Sequence, residues 1–232
     1  MSNTPKSPFE VFLDKETERR KFEWKPTEKL DLPKTLQAWE MIGKRLVKKY
    51  KNVNPALTED LCKYILRDPS FSKDLDKGIM LIGPTGTGKT KYIEILCLMM
   101  QYIHFKQSST YTAKQMENLL KLAPESDPVQ FFWKDVMSSG LFVFEDIGFE
   151  SLNIKTYGSE IHIGIDVLEA RHIEFTQKGS LTMATSNLLI KAPDPMLKKE
   201  TFGHRYGPRI ESRIPEMFNV FALQGDDMRK MK

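Results

Sequence analysis

Residues 78–90 read Gly-Ile-Met-Leu-Ile-Gly-Pro-Thr-Gly-Thr-Gly-Lys-Thr. An apolar run passes straight into the pattern G-x-x-x-x-G-K-T, and that junction constrains the fold more than anything else in the chain. Ile79, Met80, Leu81 and Ile82 predict a short strand buried in the core. Gly83, Gly86 and Gly88, with Pro84, Thr85 and Thr87 between them, form a loop that turns tightly and aims backbone N–H groups at phosphate oxygens. Lys89 can reach the β- and γ-phosphates, as a solvent-facing point charge, and the Thr90 hydroxyl can hold Mg²⁺. Helical spacing from Lys89 to about Tyr102 sets the phosphates on a helix N-terminus with its partial positive charge. A chance glycine-rich turn would lack this strand–loop–helix setting.

The length of 232 residues suits one α/β domain with a short appendage. A formal net charge of +4 is compatible with nucleic-acid binding without demanding it. No apolar run approaches the roughly 18 residues of a membrane span, and no apolar signal core opens the chain, so a cytoplasmic protein is expected. Cys62 and Cys97 lie in apolar helical patterns without metal-like spacing, which predicts buried free thiols in a reducing compartment.

Residues 1–34 are polar and charged, with scattered aromatics at Phe9, Phe12, Phe22 and Trp24. They read as a flexible arm with one short helix near Pro8–Arg20, its aromatics either anchoring a partner or packing back on the domain. The domain itself is expected over 35–232. Leu36, Trp39, Ile42, Leu46, Val47 and Tyr50 predict a helix over 35–50, and Leu57, Leu61, Tyr64 and Ile65 a second over 56–67, started by Thr58-Glu59-Asp60. Beyond the loop helix, strands are expected at His104–Ser108, Leu141–Phe144, Leu181–Thr185 and Val220–Leu223. Helices are expected at Ala113–Leu122, Val129–Met137, within Tyr157–Gln177, and at Pro195–Phe202. This alternation implies a central, largely parallel five-stranded sheet with helices on both faces, and ligands at the C-terminal ends of its strands.

Leu141-Phe142-Val143-Phe144-Glu145-Asp146 is an apolar strand ending in two acids. Downstream of a phosphate loop, one such acid holds Mg²⁺ and the next polarises the attacking water; in isolation the pair would merely cap a strand. The usual order is Asp first. Here Glu145 takes the longer reach to the metal and Asp146 the shorter reach to the water, which argues against fast hydrolysis while leaving nucleotide binding intact. Glu150 is a further acid nearby. Leu181-Thr182-Met183-Ala184-Thr185-Ser186-Asn187 is a strand ending in polar residues, and beside the loop strand Asn187 can orient water or touch the γ-phosphate; read alone, Thr-Ser-Asn is a turn. Arg209 and Arg213 are four residues apart and share a face if helical, either paired with Glu211 or Glu216 or delivered to a neighbour's γ-phosphate.

Together, these blocks resemble the AAA+ ATPase family, and within it the DnaC/IstB-like branch. The resemblance runs over Gly78–Thr90, Phe142–Gly148, Thr185–Leu188 and Tyr206–Arg229, and covers about residues 60–232. It implies a P-loop NTPase without a C-terminal helical lid domain, since only three residues follow Arg229. It implies ATP and Mg²⁺ as cofactors, with ATP held between the subunits of a homo-oligomeric ring or spiral. By the same resemblance, Asn187 is the sensor of the γ-phosphate, Arg213 the arginine supplied to the next subunit with Arg209 second, and Arg229 a residue that touches nucleotide in its own subunit. Family members load replicative helicases on single-stranded DNA or assist a transposase, which makes DNA and such a protein the expected partners. Lys198, Lys199, Arg205 and Arg209 are then candidate phosphate contacts. A transposition helper, a nucleotide-gated assembly protein with little turnover, and a small-molecule P-loop kinase are the competing functions; the trans-arginine block and the Thr-Ser-Asn strand end argue against the kinase.

Overall fold

The computed structural model describes residues 30–104, 107–121, 127–156, 159–191, 200–225 and 227. Five strands form one parallel sheet: β1 (Gly78–Ile82), β2 (Ser109–Thr112), β3 (Leu141–Ile147), β6 (Leu181–Ser186) and β7 (Phe218–Ala222), in the order β2-β3-β6-β1-β7. A separate antiparallel hairpin of β4 (Ile154–Thr156) and β5 (Ser159–Ile161) follows β3. Eight helices are present among the described residues: α1 (Leu32–Leu46), α2 (Pro55–Leu66), α3 (Lys89–His104), α4 (Ala113–Leu120), α5 (Asp127–Ser138), α6 (Ile163–Lys178), α7 (Phe202–Tyr206) and α8 (Pro208–Met217).

The inner strands are apolar throughout because both of their faces are covered. On β1, Ile79 and Leu81 join one core with Trp39, Leu61, Leu96 and Met100 from α1, α2 and α3. Met80 and Ile82 face the opposite core with Phe132, Val167, Phe202 and Ile214 from α5 to α8. The crossover helices thus fall on both sides of the sheet, and the C-terminal ends of β1, β3 and β6 come together along one edge.

Local chemistry shifts several boundaries. Helix α1 begins at Leu32 because Asp31 caps it, its side chain accepting from the Lys34 N–H at 2.9 Å. Helix α2 starts at Pro55 rather than at Thr58, since Asn54 accepts from the Leu57 N–H and proline is suited to the first turn. The strand expected at His104–Ser108 lies later, at β2. His104 instead ends α3 with its ring buried and Nε2 2.7 Å from the Ile65 carbonyl oxygen. The long helix expected within Tyr157–Gln177 is α6, which begins at Ile163 after the unexpected hairpin β4–β5. Of the helix expected at Pro195–Phe202, residues 195–199 lie outside the described residues, and α7 starts at Phe202 after Thr201, whose hydroxyl caps it. The expected arm over 1–34 lies outside them up to residue 29.

One buried cation ties three elements together. Arg171 of α6 is 0 % exposed. Its guanidinium donates to the carbonyl oxygens of Val136, Ser139 and Leu181 and to the Thr182 hydroxyl, each at 2.9 Å. It also sits over the Phe142 ring at 5.3 Å. Two of those carbonyls lie at the C-terminal end of α5, where the helix dipole favours a cation. Arg171→Met is expected to lower the urea midpoint by the equivalent of about 3 kcal/mol, because buried acceptors lose their donors. Arg171→Lys should recover only part of it, since an ammonium lacks the planar fork. Equal midpoints for parent and Arg171→Met would contradict this.

Candidate functional site

The loop after β1 is built for close backbone approach. Gly83, Gly86 and Gly88 all have positive φ, at 145°, 88° and 87°. A side chain at Gly83 would run into the Leu223 carbonyl, and one at Gly86 into the Asp227 carboxylate. The Gly83 N–H donates to the Ser186 carbonyl at 3.2 Å, fastening the loop to the end of β6. Thr87 Oγ1 donates to the Pro84 carbonyl at 2.9 Å. Lys89 and Thr90 then open α3.

Lys89 is not the solvent-facing charge that its position in the motif suggests. It is 6 % exposed, and Nζ donates to the carbonyls of Gly83 at 2.7 Å and Pro84 at 2.8 Å and to Asn187 Oδ1 at 2.8 Å. The ammonium is drawn in because a tight loop turns its carbonyls toward the start of the helix. Asn187 Nδ2 in turn donates to Thr85 Oγ1 at 3.1 Å. Lys89, Asn187 and the loop therefore form one hydrogen-bonded cluster across β1 and β6.

The acid pair owes its placement to a bulge. Phe144 pairs with Ala184 but Ile147 with Ser186, so β3 carries an extra residue in that step. Asp146 adopts a left-handed φ of 56°, and its N–H donates to Thr185 Oγ1 at 2.9 Å. Without the bulge, consecutive side chains would point to opposite faces. With it, Asp146 lines a cavity of about 700 Å³ together with Thr85, Gly86, Gly88, Lys89, Thr90 and Asn187. Glu145 lines an adjoining groove with Thr90 and Glu94. Thr90 thus stands between the two acids. The far wall of the large cavity is Leu46, Val47 and Lys48, and Phe149 stands at its edge, 68 % exposed.

The cavity has room for a nucleotide, and its glycine backbone, single ammonium and hydroxyl fit a polyphosphate. The oxygen donors Thr90, Glu145 and Asp146 suit a hard cation such as Mg²⁺. Among the described residues no group of three or more His, Cys, Asp or Glu side chains is arranged to hold a metal by itself. Burial pushes the Glu145 carboxyl up to about 7, with Asp146 and then Glu94 adding to the rise and Lys91 opposing it. Burial likewise pushes both free thiols, Cys62 and the half-buried Cys97, up to about 12.

Arg209 and Arg213 lie on α8 and do not line this cavity. Each places a nitrogen 3.0 Å from the same atom, Glu169 Oε1 of α6. The expected partners differ because α8 packs against α6: Glu216 pairs instead with His172 at 2.8 Å. Arg213 Nη1 is close to Glu169 but out of line for a hydrogen bond. Arg205, expected on a phosphate surface, is 11 % exposed and held by Glu200 at 3.1 Å and by the Glu150 carbonyl. Glu150 is itself buried: it accepts from the Gly148 N–H at 2.9 Å and from the Tyr206 hydroxyl. Lys198, Lys199 and Arg229 lie outside the described residues. The sequence reading missed Thr185 as the anchor of Asp146, Glu150 as a brace between the β3 loop and α7, and the wall at Leu46–Lys48. A threonine one register step from the acid pair is the only one of these with a visible signal, in the Thr-Ser-Asn run.

No family model matches the chain, and no curated protein matches it in sequence. Solved structures match its fold. The DnaC helicase loader does so with a TM-score of 0.53 and 18 % identity, over 75 % of this chain and 92 % of that one. The chain shares its fold with solved structures of DnaC, DnaA and DnaI. DnaI gives a TM-score of 0.53 at 14 % identity, over 78 % of this chain and 88 % of its own. DnaA from Aquifex aeolicus, bound to AMPPCP, gives 0.52 at 13 % identity, over 76 % of this chain and 48 % of its own. At these identities the likeness is one of fold. In this sheet the glycine loop, the acid pair and Asn187 sit at the ends of three adjacent strands, β1, β3 and β6. No described helix is long and apolar enough to cross a membrane.

The raised Glu145 carboxyl has a consequence for stability. Its ordinary value is 4.5, so between about 4.5 and about 7 the unfolded chain has released a proton that the folded protein keeps. The stabilising contribution is therefore full below about 4.5 and lost as pH rises through about 7. Glu145→Gln has no such proton to lose. Its melting temperature is expected to gain on the parent's between about pH 5 and about pH 8. An offset that stays constant over that range would show that Glu145 ionises normally.

Proposed function

We propose that this protein is an ATP-binding AAA+ ATPase of helicase-loader type, which assembles with ATP·Mg²⁺ between subunits and acts on DNA with a partner protein. The observation that carries this reading is the separation of two sets of groups. The glycine loop, Lys89, Asp146 and Asn187 share one cavity, while Arg209 and Arg213 stand apart from it on α8. An arginine that cannot serve its own site is suited to a neighbour's. The DnaC loader and the AMPPCP-bound DnaA share the fold, and one DnaA structure also holds single-stranded DNA, which supports nucleotide and DNA as ligands here.

In this reading the loop N–H groups and Lys89 bind the triphosphate, and Lys89 exchanges its carbonyl partners for phosphate oxygens. Thr90 and Glu145 would hold Mg²⁺, which when bound would supply charge neutralisation at the phosphates. Asp146 accepts the proton of the attacking water, and Asn187 orients that water. Arg213 of an adjacent subunit, released from Glu169, stabilises the transferring phosphoryl group, with Arg209 the second candidate. A slower variant of the same function, an assembly protein with little turnover, is favoured by the reversed acid order and by the raised Glu145 carboxyl.

Lys89→Ala is expected to lose ATP binding, read by calorimetry. Arg213→Ala should keep ATP binding but lose ATP-dependent assembly and, on the scale of known trans arginines, about 10³-fold in turnover. Mixing the two variants should restore part of the activity, since each supplies the half-site that the other lacks. Wild-type sizing and turnover for Arg213→Ala would return that residue to a structural ion pair.

Asp146→Asn should retain ATP·Mg²⁺, stop hydrolysis and accumulate the assembled state on sizing columns. Unchanged turnover in Asp146→Asn would assign the water to another acid.

A further inference from the structure

The formal net charge of the whole chain is +4, yet the eight residues 44–51 alone carry +5: Lys44, Arg45, Lys48, Lys49 and Lys51, with no acid among them. The rest of the chain is thus formally slightly acidic, and its basic character resides in this one segment. Lys44 makes a loose pair with Glu40 at 3.8 Å and stays 70 % exposed. Arg45, Lys48, Lys49 and Lys51 are exposed and have no ion pair among the described residues.

The segment is held in place rather than trailing. Helix α1 ends at Leu46, and the Tyr50 N–H donates to the Val47 carbonyl at 3.0 Å, closing a turn with Lys48 and Lys49 at its tip. The Tyr50 ring lies on Gly43, where any side chain would collide with it. Its hydroxyl accepts from Trp39 Nε1 at 3.1 Å, and Trp39 is fully buried. A buried tryptophan thus anchors a rigid turn that displays cations. Lys44 and Arg45 stand in the last turn of α1, where they also serve the helix dipole while their charges stay exposed. Lys48, Lys49 and Lys51 lie beyond the helix and have no such role.

We propose that this turn is a docking site for the phosphate backbone of a nucleic acid, alongside the nucleotide cavity. The proposal rests on the reading above that the protein acts on DNA, and it gives that action a surface. Five cations exceed what one nucleotide requires, and of them only Lys48 lines the cavity. The others are exposed on the same short segment, where a chain of phosphates can run past. Arg205 and Arg209, the other described cations expected to meet DNA, are engaged by carboxylates.

The test uses the full chain with an ATP analogue, a labelled single-stranded oligonucleotide and the duplex of the same sequence, titrated across salt concentrations. The variant is Arg45→Gln, Lys49→Gln and Lys51→Gln together, with Lys48 left intact. Removing three phosphate contacts should flatten the slope of log affinity against log salt by about 2 for the single strand, and weaken binding roughly tenfold or more at low salt. ATP affinity should stay at the parent's value, and the melting temperature should fall only slightly, through the lost Arg45 charge at the end of α1. The charge-preserving set Arg45→Lys, Lys49→Arg and Lys51→Arg should keep the parent's slope. An unchanged slope in the glutamine variant, with the parent binding, would overturn the site while leaving DNA action standing. No binding by the parent to either oligonucleotide would overturn both. A loss confined to ATP affinity would also overturn the site, assigning the turn to nucleotide capture.

Discussion

The structure depends on how closely two neighbouring backbones approach β1. Gly78 opens the strand where a side chain would collide with the Thr182 carbonyl of β6, and Gly83 follows it where one would collide with the Leu223 carbonyl after β7. The strand between them is buried along its whole length. Larger residues at either end would push β1 out of register with a neighbour, and the loop that follows would move with it. The phosphate loop is therefore fixed by sheet packing before any ligand arrives, which is the preorganisation that binding benefits from. Lys89 extends this frame sideways by joining the loop to Asn187.

The acid pair shows a second way of fixing a site. A regular strand points consecutive side chains to opposite faces. The bulge in β3 and the left-handed Asp146 instead bring the two acids to adjoining hollows on either side of Thr90, and the Thr185 hydroxyl holds the irregular N–H. Such a conformation persists only where the surroundings over-determine it. Here they do so on two sides, since Ser186 Oγ also donates to the Ile147 carbonyl at 2.6 Å, and Glu150 receives the Gly148 N–H.

The sheet was legible because its inner strands are apolar runs ending in recognisable polar groups, as in Ile79–Ile82, Leu141–Phe144 and Leu181–Thr185. Of the loop residues, Thr85, Gly86, Gly88 and Lys89 line one cavity with Asn187 and Asp146, and Thr90 joins Glu145 in the groove beside it; these neighbours could be guessed from residue type because each follows the end of an apolar strand. The edge strand β2 was misplaced because a half-exposed four-residue strand, Ser-Thr-Tyr-Thr, has no apolar run to mark it. The β4–β5 hairpin was invisible because three-residue strands fall below any period. The partner of the two arginines was unreadable for a different reason. Glu169 lies 40 or more positions away in sequence, and only the packing of α8 on α6 brings it near.

The Trp39–Tyr50–Gly43 anchor carries a thermodynamic consequence. The turn it fixes contributes Val47 and Lys48 to the wall of the cavity beside the glycine loop, while Lys49 and Lys51 are exposed. One short, stiff segment thus belongs to two surfaces at once. Where ligands on two such surfaces are coupled, the coupling in binding free energy is reciprocal. Whatever factor a ligand in the cavity lends to one on the outer face, the second must return to the first. Trp39, which touches neither surface, is where that exchange could be loosened without removing a single charge.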